Sequence, residues 1–143
     1  MSDHCFTYGS LMCDDIMGAV TAAAPLRPVP ARLAGYRRAP VAGADYPGMV
    51  PAAEGRVEGV LYLDLPAAAW PRLDAFEGDE YRRCEVEVEL PDGHRLTAWA
   101  YVFKPEYAAR LGEGEWSFQR FLETGKARFE ALYLGFDTLG RVD

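Results

Sequence analysis

The chain has 143 residues, half of them hydrophobic, and a formal net charge of −7. That length fits a single domain over residues 1–143 with a buried core; the acidic balance argues against a nucleic-acid partner, which needs a basic face to displace counterions, and no apolar run approaches the ~18 residues of a membrane span. The opening MSDHCF carries neither a basic stretch nor a long apolar one, so no secretory signal is expected, and Cys5, Cys13 and Cys84, with no C-x-x-C pair, fit a reducing cytoplasm rather than a disulfide framework.

Residues 4–8 read as a short buried strand ending in Tyr8-Gly9-Ser10-Leu11. Asp14 and Asp15 then mark a helix start, with Ile16, Met17, Val20 and Ala23 on its apolar side. Pro25, Pro28 and Pro30 end that helix and lead into an extended piece, and 31–42 reads as a strand interrupted at Gly35. The segment AGADYPGMVPAAEG, 42–55, is rich in glycine and proline and reads as a loop with a few extended residues around Met49 and Val50. RVEGVLYLDL, 56–65, reads as a strand with Val57, Leu61 and Leu63 on one face and Val60 and Tyr62 on the other.

PAAAWPRLDAFEG, 66–78, has the pattern of a helix with Asp64 as its cap, Pro66 in its first turn and Gly78 just past its end. Pro71 lacks an N–H donor and shifts the expected start toward Trp70. Residues 81–103 form the clearest pair. Cys84, Val86, Val88 and Leu90 alternate with charged residues, Asp92-Gly93 is a hairpin turn, and the return strand is apolar on both faces. The tail, 115–136, reads as one or two helices broken near Gly125, with Trp116, Phe118, Phe121, Leu122, Phe129 and Leu132 buried against the sheet. The order predicts an α+β fold: a small, mixed, mostly antiparallel β-barrel-like sheet with flanking helices.

One carboxylate falls in an unexpected place. At 100° per residue, Ala69, Trp70, Leu73 and Phe76 make an apolar stripe, and Glu77 lies within roughly 50° of its centre. It also occupies the last helical turn, where the helix dipole disfavours negative charge. Desolvation and the dipole both raise a carboxyl pKa toward the range of a proton shuttle. The alternative is that Glu77 splays into solvent or pairs with Arg82 or Arg83. Other nucleophiles and ligands are poorly supported. Ser10 has no G-x-S-x-G around it, and His4 and His94 are the only histidines. Cys13, just before a helix start, reads as a small buried residue, and His4, Cys5, Cys13 and Asp14 match no metal-binding spacing. Arg37, Arg38, Arg82 and Arg83 offer a local basic pocket despite the acidic total. Gly9 permits backbone conformations closed to other residues, and a turn opening a helix leaves N–H groups free for a carboxylate or a developing oxyanion.

Four stretches together are more specific: F-x-Y-G-S-L at 6–11; Y-P-G at Tyr46–Gly48 followed by V-x-G-x-L-Y at 57–62; L-D-x-F-E-G-x-E-Y-R-R at 73–83; and W-S-F-x-x-F at 116–121. With them the chain resembles the gamma-glutamylcyclotransferase-like family, in the branch of gamma-glutamylamine cyclotransferases and plant avirulence-induced proteins. The resemblance implies a barrel-like α+β fold, a gamma-glutamyl moiety bound through the loop of Tyr8, Gly9, Ser10 and Leu11, and Glu77 as the catalytic glutamate. Tyr46, Tyr81 and Arg82 would line the pocket, although Tyr81 and Arg82 could equally start a strand and pair with Glu80 or Glu85. The implied reaction releases 5-oxoproline and a free amine, with no cofactor and no metal. A non-catalytic sensor of a small gamma-glutamyl-like metabolite would use the same pocket. The pocket walls around 43–54 and 104–116 would choose the leaving amine, and the apolar content permits a homodimer.

Overall fold

A computed structural model describes residues 3–133. Five strands close into a barrel: β1 (Cys5–Thr7), β2 (Pro28–Pro40), β3 (Pro47–Tyr62), β4 (Tyr81–Glu89) and β5 (Arg95–Phe103), in the spatial order β1-β3-β2-β4-β5. Only β1 and β5 run parallel, meeting at Cys5 and Trp99; the other pairs are antiparallel. The fold is thus the α+β barrel with flanking helices expected from the element order. No helix among the described residues is long and apolar enough to cross a membrane.

The barrel interior is filled by Phe6, Leu33, Met49, Val57, Leu61 and Val88, together with the inward side chains of β5. A second core lies outside the barrel wall, where α1 (Asp14–Thr21) and α2 (Ala69–Glu77) bring Ile16, Met17 and Leu73 against Tyr62 and Tyr101. Tyr62 and Leu61 point into different cores, as strand alternation requires. The 81–103 hairpin forms as expected, with Glu89 opposite Arg95 and Val86 opposite Ala98.

Several expectations are corrected. The segment 47–55 is the first half of β3 rather than a loop; its prolines and glycines are tolerated because that half pairs with β2 alone and its other edge needs no donors. The register slips beside Gly35, where β2 is irregular but unbroken. Asp64 does not cap α2, whose N-cap is Ala68; Asp64 instead bonds Arg27. Helix α2 begins at Ala69, so Pro71 falls in the first turn, where its missing N–H costs nothing. Ala23 lies beyond the end of α1.

The tail holds α3 (Phe118–Arg120), capped by the Ser117 hydroxyl, and α4 (Lys126–Tyr133). A π turn over Phe121–Gly125 joins them where a break was expected. Trp116, Phe121 and Phe129 are buried and Phe118 is half-buried, whereas Leu122 and Leu132 are exposed. The expected helical residues 134–136 lie outside the described residues.

Candidate active site

Strand β1 ends at Thr7, and Ser10–Met12 form a single 3₁₀ turn before α1. That turn is fixed from three directions. Tyr62 donates its hydroxyl hydrogen to the Leu11 carbonyl at 2.9 Å. Arg38, from β2, donates Nη1 to the Tyr8 carbonyl at 2.9 Å. Pro47 packs on Gly9 and is held in turn by Tyr81, whose hydroxyl donates to the Pro47 carbonyl at 2.8 Å. A β-carbon on Gly9 would collide with the Pro47 ring, so glycine is required here for space. The N–H groups of Gly9, Ser10 and Leu11 donate to no backbone carbonyl among the described residues, while the carbonyls of Gly9 and Ser10 accept from Met12 and Cys13.

Opposite this turn, α2 ends at Glu77. Gly78, with φ 76°, takes the chain out of the helix in a conformation that side chains avoid, and its N–H closes the last turn on Asp74. Trp70 and Leu73 are buried and Phe76 is half-buried, so the apolar stripe read from the spacing is the inward face of α2, and half-buried Glu77 lies beside it.

Glu77 and the Tyr8–Leu11 turn face the same cavity of about 270 Å³, which Tyr46, Phe76, Tyr81 and Phe129 also line. Burial, and then the charge of Asp74, push the Glu77 carboxyl up to about 8. Among the described residues the carboxyl has neither hydrogen bond nor ion pair: Arg83, a suggested partner, instead pairs with Asp74 at 3.4 Å and lies between Trp70 and Trp99, and Arg82 is exposed. No arginine, lysine or histidine is among the described residues lining the cavity, so the local basic pocket that the arginines offered is not at this site. Burial, and then the charge of Glu77, raise the Tyr8 phenol, which donates to the Tyr101 carbonyl at 2.6 Å.

The structure therefore brings together Tyr8, Gly9, Ser10, Leu11, Glu77, Tyr46 and Tyr81, and leaves Arg82 outside. The Ser10 hydroxyl has no hydrogen-bond partner among the described residues; His4 Nδ1 accepts from the Asp64 N–H and His94 bonds Asp92. Burial pushes the Cys13 thiol up to about 11, which makes it unreactive. The loop 104–116 does not line the cavity; the far wall comes instead from Tyr46 and Pro47, from Phe76, and from Phe129 on α4. Phe129 was legible only as a buried aromatic, since nothing in its local spacing marks a cavity wall.

Backbone donors of the turn and a desolvated carboxyl thus border a single cavity. The family model described as "Gamma-glutamyl cyclotransferase, AIG2-like" matches residues 5–118, and the chain belongs to that family. AIG2-like protein A of Arabidopsis thaliana is 30% identical over 129 residues, covering 87% of this chain and 74% of its own length. A solution structure of another Arabidopsis thaliana protein shares the fold with a TM-score of 0.67 and 26% identity, covering 97% of this chain and 93% of that one. The crystal structure of an AIG2-like protein from Mus musculus has a TM-score of 0.62 at 19% identity, covering 81% of this chain and 88% of that one, a likeness of fold.

Proposed function

We propose that the protein converts a gamma-glutamyl amide into 5-oxoproline and a free amine, with Glu77 as general acid and base. One observation carries the reading: a carboxyl without a partner, held near 8, facing the same cavity as the free N–H groups of the Gly9–Leu11 turn. The family match supports the reaction class.

The substrate supplies its own nucleophile. Its α-amine attacks the γ-carbonyl, the new N–C bond closes a five-membered ring, and the bond to the leaving amine breaks. Intramolecular attack held in reactive geometry reaches effective molarities of ~10⁵–10⁸ M, so no enzyme nucleophile is needed. The α-amine must first lose a proton. Model α-amines titrate at ~7.7–8.0, close to Glu77, so proton exchange between the two is nearly balanced. Glu77 takes the proton and returns it to the departing nitrogen, work typically worth ~10²–10⁴-fold. Negative charge builds meanwhile on the γ-carbonyl oxygen, where each preorganised donor of the turn contributes ~2.7–4 kcal/mol.

The test is 5-oxoproline release from a panel of gamma-glutamyl amides by the wild type and by Glu77→Gln. The substitution keeps size and hydrogen bonding but cannot shuttle a proton. Turnover by the wild type and its loss in a folded, ligand-binding Glu77→Gln protein is the expected result. Equal turnover in both removes Glu77 from the chemistry, and binding without release identifies a sensor.

A further inference from the structure

We propose that Arg38 is a positioning residue for this reaction: by bonding the Tyr8 carbonyl it polarises the Tyr8–Gly9 peptide and strengthens the Gly9 N–H as a donor to the γ-carbonyl oxygen. The proposal rests on the cyclotransferase reading above.

Arg38 is a poor stabilising residue where it stands. Its side chain is 14% exposed, and its nearest carboxylate, Glu115, is 3.8 Å away and itself 76% exposed. The guanidinium lies 5.5 Å from the centre of the Trp116 ring. Its Nε is buried with no acceptor among the described residues. A half-buried cation with a distant, solvated partner and an orphaned donor carries a desolvation cost. Its close polar contacts are both made by Nη1, to the Tyr8 carbonyl at 2.9 Å and to the Glu58 carbonyl at 3.3 Å.

The Tyr8–Gly9 peptide is trans. In a planar trans peptide the N–H points opposite to the C=O. The carbonyl of Tyr8 faces Arg38, so the Gly9 N–H faces away from it. Gly9 lines the cavity and Arg38 does not. The Gly9 N–H also has no backbone acceptor among the described residues. A positive charge at the carbonyl end of a peptide draws density from its nitrogen and makes the N–H a stronger donor, as in any polarised chain of hydrogen bonds. The arrangement passes positive character to the oxyanion while keeping a cation out of the cavity. A cation inside it would pair with Glu77 and pull its carboxyl back to the ordinary range.

The experiment compares Arg38→Met, which keeps the stem and removes the charge, with Arg38→Lys, which keeps a cation within reach of the Tyr8 carbonyl. The expected result for Arg38→Met is a kcat lowered about 10–100-fold with KM within about threefold, a loss below that of deleting an oxyanion donor outright. Arg38→Lys should recover most of the rate, and Arg38→Met should melt no lower than Arg38→Lys. The Gly9 amide proton resonance should move upfield in Arg38→Met and stay near its wild-type position in Arg38→Lys. Wild-type kcat in Arg38→Met, equal losses in both variants, a loss confined to KM, or an unmoved Gly9 resonance would each overturn the proposal while Glu77→Gln still abolishes turnover. Absence of turnover by the wild type itself overturns the reading beneath it.

Discussion

Pro47 closes over Gly9 so tightly that a β-carbon on Gly9 would lie 2.8 Å from the proline Cδ. Since Tyr81 pins Pro47 through its carbonyl, the proline cannot retreat without breaking a bond at the cavity edge. Gly9→Ala should therefore displace the turn. Overpacking of this kind costs ~1–3 kcal/mol, and loss of aligned donors lowers kcat by ~10²–10³. Thermal melting and turnover together check this; wild-type turnover would show that the turn's donors are not used.

Glu77 sets a pH dependence of stability with a definite sign. Its carboxyl is raised from 4.5 to about 8 in the folded chain, so between those values the folded state holds a proton that the unfolded state has lost. Its contribution is intact below pH 4.5, declines as pH rises, and is gone above about 8. Glu77→Gln should thus gain stability relative to the wild type across that window. Denaturation curves at pH 5 and pH 9 measure the difference, and a constant gap would mean that the carboxyl is not desolvated.

Turnover should follow the same group. With Glu77 near 8 and the substrate amine close by, kcat/KM should peak around pH 8 and fall on both sides. A flat profile from pH 6 to 9 would contradict proton exchange between them.

On the proposed mechanism Ser10 contributes its backbone rather than its hydroxyl, which has no histidine beside it among the described residues. Ser10→Ala should change kcat less than about tenfold, against the ~10⁶-fold expected for a nucleophile. A thousandfold loss in a steady-state assay would restore a serine mechanism.

Among the described residues three carboxylates line the cavity, Glu77, Asp79 and Glu80, and of these only Glu80 has a cation, Arg110, beside it. Gamma-glutamyl amides with neutral or cationic leaving amines should react faster than those whose leaving group carries a carboxylate. Asp79→Asn should narrow the gap, which competition assays with paired substrates would read.

While the roles given to Glu77 and Tyr8–Leu11 came from the family resemblance, their local setting was legible in the sequence: Glu77 lies beside an apolar helical face that ends in glycine, and Tyr8–Leu11 follows a strand and precedes a helix. The spatial side was not. Strand β3 begins in a segment whose prolines and glycines resemble a loop, and only pairing with β2 makes it extended. The far wall joins Tyr46 to Phe129, 83 positions apart and 6.3 Å between ring centres, a contact that no periodicity encodes. The reason for Gly9 was also hidden, since Pro47 comes from another strand.

Phe129 touches both Tyr46 and Phe76 through ring edges, and its neighbour Arg128 clamps Asp45. One face of the chamber is thereby on loan from the last described helix, while Glu77 belongs to α2 and the Tyr8–Leu11 turn follows the first strand. On the proposed reaction, selection acting on that helix alone would retailor which amine departs and leave the ring-closing apparatus as it was.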